Sequence, residues 1–276
     1  MSLIIREIKV KKALSKSGLP EYDYALNPYL GCQHGCIYCY ARDFTKGEPA
    51  VKWGEVVYVK VNLIEVLSSE VKGLRRGIVG LSTITDPYQP IESRYRLSRR
   101  ALSLLCGSGF HVSVQTKSAL VIRDIDVLKQ CGEMADVGLT ITTMRDSYKL
   151  IEPNAPPPLV RAMTIRKLAK AGVRTWIFLG PIIPGINDSR LDYEPVIKLA
   201  KETNSQLIID RFRPRGAAVK LIKAKLSIDP TPTSNWWRRI VGELTQLCGS
   251  YGVDCVTEED EWRSRRRDNS ILDYLK

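Results

Sequence analysis

Three cysteines lie close together in the segment GCQHGCIYCYAR, residues 31–42. Cys32, Cys36 and Cys39 have the spacing C-x3-C-x2-C. Thiolates are soft ligands, so three of them in one short loop predict a metal centre. A structural zinc site needs a fourth protein ligand, for which His34 is available inside the loop. An iron–sulfur cubane normally takes one cysteine per iron, so three cysteines leave one iron open to a substrate or cofactor.

Two features favour the cluster over zinc. Tyr38 immediately precedes Cys39, and the loop follows a predicted strand at 24–30, at the end where α/β barrels keep their chemistry. No second C-x2-C knuckle accompanies the first, as a zinc ribbon would require. We therefore expect His34 to make local hydrogen bonds and His111 to be structural. With two histidines in the chain, histidine acid–base catalysis is not expected.

The other four of the seven cysteines are scattered along the chain. An odd count with a cluster at the front is a poor disulfide framework. We expect Cys106, Cys131, Cys248 and Cys255 to be small buried hydrophobic side chains. A disulfide or a second metal centre is the alternative.

Composition restricts the class of protein. The chain has 276 residues, 44% of them hydrophobic, which is enough to bury a substantial core. No apolar run approaches the roughly 20 residues that span a bilayer, and the N-terminal apolar stretch is too short for a secretory signal. A cytoplasmic protein without a membrane partner is the expectation. The net charge of +12 is compatible with a polyanionic partner such as DNA or RNA, and an ordinary basic surface is the alternative.

Strand-like and helix-like segments alternate along the chain, which predicts a parallel sheet. Six strands are expected within 24–30, 77–85, 110–116, 135–142, 173–180 and 206–212, and helices within 61–74, 97–109, 122–132, 156–172 and 189–203. The predicted fold class is α/β, a partial (β/α)6 TIM-type barrel, with a doubly wound open sheet as the alternative. We predict an N-terminal extension at 1–23, a core at 24–215 and a C-terminal extension at 216–276. In that extension we expect a helix and short strand over 234–255, and a peripheral helix or a partly mobile end over 258–276.

Five longer motifs resemble one known family, in order and spacing: NPYLGCQHGCIYCYAR, STITDPYQPIE, QTKSALVIRDIDVL, IEPNAPPPLVRAMTIRKLAKAGV and FLGPIIPGIND. They are similar to the spore photoproduct lyase-related (DNA repair photolyase-like) group of the radical S-adenosylmethionine (SAM) superfamily. The resemblance implies that the three cysteines hold a [4Fe–4S] cluster whose open iron chelates SAM. It further implies an electron donor such as a ferredoxin or flavodoxin, and reductive cleavage of SAM to a 5′-deoxyadenosyl radical that abstracts hydrogen.

The resemblance also implies SAM contacts for eight side chains: Tyr38, Thr85, Asp86, Lys117, Thr142, Glu152, Arg161 and Ile183. Tyr38 would lie beside the adenine, and the Thr85-Asp86-Pro87 segment where the superfamily binds the SAM amino group. Lys117 would reach the SAM carboxylate, unless it is a solvated strand-end lysine.

The later motifs carry the remaining roles. Thr142 would lie near the ribose, with Thr140 as the neighbouring alternative. Arg161 would contact the SAM carboxylate or form a supporting ion pair with Glu152. The turn at 183–185, which begins with Ile183, would pack on the adenine.

One departure from the family pattern bears on the reaction. Thr83 stands where spore photoproduct lyase has a cysteine that returns a hydrogen atom, and a hydroxyl is a far poorer hydrogen donor than a thiol. Tyr88 is the predicted catalytic residue, as a radical relay, and a packed aromatic is the alternative.

The substrate is not identified by the motifs. Basic and aromatic clusters such as RYRLSRR (94–100) and RFRPRG (211–216) are compatible with DNA or RNA. Two other functions remain open: a zinc-stabilised nucleic-acid-binding module without catalysis, and an iron–sulfur redox protein that does not bind SAM.

Overall fold

The computed structural model describes residues 3–257 and 259–260. Its strands, in chain order, are β1 Ile4–Ile8, β2 Leu14–Lys16, β3 Tyr24–Leu26, β4 Tyr29–Leu30, β5 Val56–Lys60, β6 Ile78–Leu81, β7 His111–Thr116, β8 Ala135–Thr140, β9 Arg174–Ile182, β10 Gln206–Arg211 and β11 Cys255–Thr257. Its helices are α1 Ala41–Phe44, α2 Glu48–Val51, α3 Leu63–Glu70, α4 Glu92–Tyr95, α5 Leu97–Gly107, α6 Ile125–Cys131, α7 Tyr148–Ile151, α8 Pro158–Lys170, α9 Arg190–Thr203, α10 Gly216–Leu226 and α11 Ser234–Tyr251.

The main sheet has eight strands in the order β11-β10-β9-β8-β7-β6-β3-β2. Every neighbouring pair from β3 to β11 is parallel, and β2 pairs antiparallel with β3 at one edge. The six predicted strands are therefore consecutive neighbours in the sheet, joined by crossovers that contain helices. The α/β class with a mostly parallel sheet is confirmed. Within the described residues the sheet does not close, because β2 and β11 remain its two edges.

The two faces of the sheet differ, because side chains alternate along each strand. On β7, Val112 and Val114 are fully buried in the core, whereas His111 and Gln115 on the other face are half-buried. Burying a valine side chain contributes about 2 kcal/mol, so the face of the sheet that these valines share anchors the helices. The opposite face carries polar and aromatic side chains, such as Ser113, Gln115 and Trp176.

The helix ends follow local sequence signals. α9 begins with a capping box, in which Ser189 and Asp192 satisfy each other's backbone N–H groups. α8 begins at Pro158, and the turn after it uses Gly172 at φ +79°. Thr233 caps α11, which ends before Gly252 in the left-handed conformation. These signals fix where each helix returns the chain to the sheet.

A smaller sheet was not predicted. β5 pairs in parallel with β1 and antiparallel with β4, so residues 4–8 of the predicted N-terminal extension belong to this three-stranded sheet. β2, from the same extension, forms the edge of the main sheet. At the other end of the chain, α11 packs on α9, and β11 extends the sheet beside β10. Apart from 259–260, the charged segment predicted at 258–276 lies outside the described residues.

The prediction for the scattered cysteines was wrong. Cys106 is disulfide-bonded to Cys131, which joins α5 to α6, and Cys248 is bonded to Cys255, which joins α11 to β11. Tertiary contact between two helices, or between a helix and the next strand, brings these pairs together. Spacing along the chain does not carry that information. In the described residues, no helix has the length and apolar character that a membrane span requires.

Candidate functional site

The cysteine loop follows β4 at the carboxyl end of the main sheet. Cys32 and Cys36 are buried, Cys39 is half-buried, and all three are free thiols. Gly31 adopts φ +83°, and a Cβ there would lie 2.3 Å from the carbonyl oxygen of Val56, so the turn requires glycine. Burial raises the pKa of Cys36 to about 11 and that of Cys39 to about 12. Ionisation of these thiols therefore needs a nearby positive charge, such as a metal cation, to stabilise the thiolates.

Asp86 joins three parts of the site. Its carboxylate accepts hydrogen bonds from the Thr116 hydroxyl at 2.6 Å, from the Lys117 N–H at 2.9 Å and from the Tyr88 N–H at 2.9 Å. It also lies 3.3 Å from Nδ1 of His34. Burial opposes the charge on Asp86, but His34 and the donated hydrogen bonds outweigh it and lower the pKa of Asp86 to about 2. The end of β6 is thereby fixed against both the cysteine loop and the end of β7.

His34 is buried, and its contact with Asp86 agrees with the expectation of a local hydrogen-bonding role. Burial disfavours the imidazolium, but Asp86 and Cys32 outweigh it and raise the pKa of His34 to about 10. Its other ring nitrogen, Nε2, is buried and without a hydrogen-bond partner in the part of the chain that the structure describes. A ring already bonded to a carboxylate and left with one unpaired nitrogen can receive a further polar group.

Lys117 and Tyr38 lie together beside the cysteine loop. The Lys117 ammonium is 5.6 Å from the centre of the Tyr38 ring, a cation–π distance. Burial lowers the pKa of Lys117, but the charges of Cys36 and Glu152 outweigh burial and raise it. Lys117 is therefore a retained positive charge directed toward the cysteine loop.

Glu152 and Arg161 form a completely buried ion pair. Glu152 also accepts a hydrogen bond from the Tyr38 hydroxyl, and Arg161 donates to the carbonyl groups of Pro156 and Thr140. Burial would raise the pKa of Glu152, but Arg161 and Lys117 outweigh it and lower the pKa. Of the two roles expected for Arg161, the structure contains the supporting ion pair, which holds Tyr38 through Glu152.

The carboxyl ends of β8 and β9 complete one wall. The Thr142 hydroxyl is buried and has no hydrogen-bond partner among residues 3–257 and 259–260, whereas the Thr140 hydroxyl accepts from Gln115 at 3.1 Å. Asn187, which was not predicted, donates to the carbonyl of Thr142 and accepts from the N–H of Ile183, both at 2.8 Å. Ile183 lies in a small apolar cluster that contains Cys36 and Tyr38.

Thr85 and Thr83 lie in the loop after β6. The Thr85 hydroxyl donates to the carbonyl of Gly31 at 2.6 Å, which ties this loop to the cysteine loop. The carbonyl of Thr83 accepts a hydrogen bond from the hydroxyl of Tyr40, the residue after Cys39. Sequence reasoning missed Tyr40, although its aromatic ring next to a ligand position was a usable signal.

Tyr88 lies apart from this group. Its side chain is fully buried in the main core, beside Asp124 and Glu92. Burial, together with these two carboxylates, raises the pKa of its phenol well above the ordinary value. The predicted relay is thus a core side chain rather than one exposed at the mouth.

A second polar cluster lies away from the cysteines, on the face of the sheet that carries His111 and Gln115. Asp136 accepts hydrogen bonds from Ser113 at 2.7 Å and Trp176 at 2.7 Å, and lies 2.6 Å from Nε2 of His111. The Trp176 ring covers Gly138, where a Cβ would approach it to 2.3 Å. Ser113, Asp136 and Trp176 line a cavity of about 750 Å³ that extends to the loops at the amino ends of β9 and β10. His111 therefore has the structural role that was expected.

Comparison with known proteins gives the family. A model of the radical SAM superfamily matches residues 26–193. An uncharacterised protein of Methanocaldococcus jannaschii is 36% identical over 185 residues, which is 67% of this chain and 70% of that protein. A radical SAM Nalpha-GlyT isomerase of Pseudomonas phage M6 is 28% identical over 225 residues, covering 79% of this chain and 43% of the phage protein.

Among solved structures, spore photoproduct lyase complexed with dinucleoside spore photoproduct has the same fold. The TM-score is 0.73 at 14% identity, over 92% of this chain and 81% of that one. Another structure of that lyase holds SAM together with the dinucleoside. The family model spans more than half of the chain and includes all three cysteines, and it shows that this protein belongs to the radical SAM superfamily.

Proposed function

We propose that this radical SAM enzyme abstracts hydrogen from a nucleobase in DNA or RNA, in a lyase-like or repair-like reaction. The observation that carries the proposal is the convergence of three free cysteines with Lys117, Tyr38 and the Glu152–Arg161 pair at one end of the sheet. With a [4Fe–4S] cluster and SAM bound, such a site generates the 5′-deoxyadenosyl radical.

The donor set fits the cluster better than zinc. A zinc site would require Cys32, Cys36, Cys39 and His34 around one ion, whereas a cluster spreads its cysteines over different irons. His34 is instead held by Asp86. The zinc-module alternative is therefore not retained.

The protein's own residues provide the polar contacts that SAM requires. Lys117 supplies a positive charge for the SAM carboxylate, and Tyr38 a rigid aromatic ring whose hydroxyl is fixed by Glu152. The buried hydroxyl of Thr142, which has no hydrogen-bond partner in the described part of the chain, is available to a ribose hydroxyl. Ile183 offers an apolar surface to the adenine. Asp86 and Thr85 act mainly by holding the loops together, since their side chains already bind protein groups.

Three lines of support point to nucleic acid. The net charge of +12 favours a polyanion. The fold is that of a lyase solved with a dinucleoside photoproduct. The phage relative is named as an isomerase of Nalpha-GlyT. Because this chain spans less than half of that relative, the phage protein's own reaction is not transferred.

We further propose that the six-strand series curls into a partial barrel. β3 and β10 are the first and last of the series and are not hydrogen-bonded to each other. Nevertheless, Ile37 and Tyr38 after β3 share an apolar cluster with Phe212 and Ile222 after β10. A flat sheet would keep strands at its two ends apart by about 4.8 Å per intervening step, so this contact supports strong curvature.

Other expectations stay predictions. They are domain boundaries near 24 and 215, a ferredoxin-like or flavodoxin-like electron donor, and a cytoplasmic location. Two disulfides are unusual in a reducing cytosol, except in hyperthermophiles. Tyr88 as a radical relay also stays a prediction.

The proposed function is tested by SAM cleavage. The protein is reconstituted with iron and sulfide under anaerobic conditions and reduced, and 5′-deoxyadenosine is measured with and without ultraviolet-irradiated DNA. Product that is lost in Cys36→Ala and stimulated by the DNA supports the proposal. No product from protein with a full cluster would overturn it.

A further inference from the structure

An exposed aromatic pair lies directly after the cysteine loop. Tyr40 and Phe44 contact each other edge to face, with ring centres 6.0 Å apart. Their exposed fractions are 38% and 53%. The Tyr40 hydroxyl donates to the carbonyl of Thr83, so the pair begins at the mouth of the site and runs outward along α1. Large aromatic faces left in water beside a reaction centre are typical of binding surfaces.

A positively charged side chain lies beside this aromatic pair. Arg215 immediately precedes α10, and its guanidinium lies 5.3 Å from the centre of the Phe44 ring. Arg42 donates to the carbonyls of Ala50 and Val51 rather than to a carboxylate. Among the described residues neither arginine has an ion pair, and Asp43 is the acidic residue of α1. Among the described residues, the patch therefore presents an aromatic face with the Arg215 guanidinium beside it and no carboxylate paired with that arginine.

We propose that a base of a single-stranded or locally opened nucleic acid strand stacks on Phe44, with Arg215 contacting a neighbouring phosphate. This inference rests on the proposed function and deepens it by assigning the surface that holds the strand. Aromatic stacking tolerates any base, and arginines bind the backbone. An enzyme that reacts with a base must also extrude it or act on a single strand. A strand anchored at Phe44 places the next nucleotide beside Tyr40 and Thr83, at the mouth.

The test is binding of fluorescently labelled oligonucleotides to the reconstituted enzyme with SAM, followed by fluorescence anisotropy. Single-stranded DNA, single-stranded RNA and duplex DNA are the three ligands. We expect Phe44→Ala to weaken single-strand binding about tenfold and Phe44→Trp to retain it. Arg215→Ala should reduce the slope of log affinity against log salt by about 1. Iron content and circular dichroism establish that each variant is folded and loaded.

Matched controls remove the same kinds of group elsewhere. Leu191 on α9 is 68% exposed, and Arg238 is exposed on α11, so Leu191→Ala and Arg238→Ala should bind within about twofold of wild type. Binding of DNA or RNA that depends on Phe44 supports the inference. Equal losses in Phe44→Ala and Leu191→Ala, or a wild-type enzyme that binds neither strand, would overturn it. SAM cleavage without nucleic acid is measured separately, so failure of this surface is distinguishable from failure of the radical chemistry.

Discussion

Arg161 and Glu152 form an ion pair in which neither side chain has exposed surface. The same carboxylate accepts a hydrogen bond from Tyr38, one residue before Cys39. A charge pair on α8 and in the loop before it therefore determines the position of an aromatic ring in the cofactor site. This arrangement links the stability of the α7–α8 region to the position of the Tyr38 ring.

Removing one partner of this pair should be costly. Glu152→Gln leaves the Arg161 charge buried and unpaired, so we expect a loss of about 3–5 kcal/mol in the free energy of unfolding, measured by urea denaturation. The double variant Glu152→Leu with Arg161→Met should recover part of that loss. Glu202→Gln, which breaks an exposed pair with Arg166, should have little effect. A small loss in Glu152→Gln would contradict the buried pair.

His34 should contribute to stability without holding iron. His34→Ala removes a buried partner of Asp86, so we expect a lower melting temperature with the iron content of the reconstituted protein preserved. Cys36→Ala should reduce the iron content sharply. Release of iron from His34→Ala would contradict this prediction and would make His34 a metal ligand.

The order of the main strands could be predicted because each is a short buried run between helical segments, and parallel neighbours follow from crossovers. The small three-stranded sheet could not be predicted from the sequence. β4 has two residues, and β1 and β5 are separated by about fifty residues with no hairpin signal between them. Their pairing depends on tertiary contact, as the disulfides do. α10 was also missed, since its start at Gly216 follows a proline- and arginine-rich loop.

The candidate site could likewise be predicted only in part. The cysteine spacing and the motifs singled out Cys36, Lys117, Glu152 and Arg161, and the structure brings these side chains together. The order of the motifs could not show that the Asp86 carboxylate binds Thr116, Lys117 and His34. These contacts join residues at or after the ends of three different strands. Nor could the order of the motifs show that Tyr40 rather than Tyr88 is exposed at the mouth.

Lowering the pH should decrease the free energy of unfolding, because Asp136 becomes protonated. Burial opposes its charge, but hydrogen bonds from His111, Ser113 and Trp176 outweigh burial and lower its pKa. A lowered folded-state pKa stabilises the protein above the unfolded value of about 4, and that contribution is lost as pH falls through the folded-state pKa. The difference in unfolding free energy between wild type and Asp136→Asn should therefore be largest near neutral pH and shrink below about pH 4. Asp146→Asn, at an exposed position, should show no such trend.

The Cys106–Cys131 disulfide should stabilise the α5–α6 pair. Its closed loop spans a sequence separation of 25, for which chain-entropy arguments give about 3 kcal/mol. We expect the double variant Cys106→Ser with Cys131→Ser to melt at a lower temperature, and reductant to lower the melting temperature of wild type but not of a variant lacking both disulfides. Mass spectrometry after alkylation without reduction checks the pairing directly. Alkylation of Cys106 in the untreated protein would contradict it.

Gly138 is the position on β8 where a methyl group should be least tolerated. Its Cβ would approach the Trp176 ring to 2.3 Å, and displacing that ring would break the bond from the indole N–H to Asp136. We expect Gly138→Ala to cost about 1–3 kcal/mol. Gly107→Ala is the control, because a Cβ there meets nothing within 4 Å and the residue is helical, so the change should be neutral or stabilising. In a double-mutant cycle with Trp176→Leu, the pair of changes should cost less than the sum of the single changes, since the smaller side chain removes the clash. Additive costs would mean that the indole does not occupy the space above Gly138.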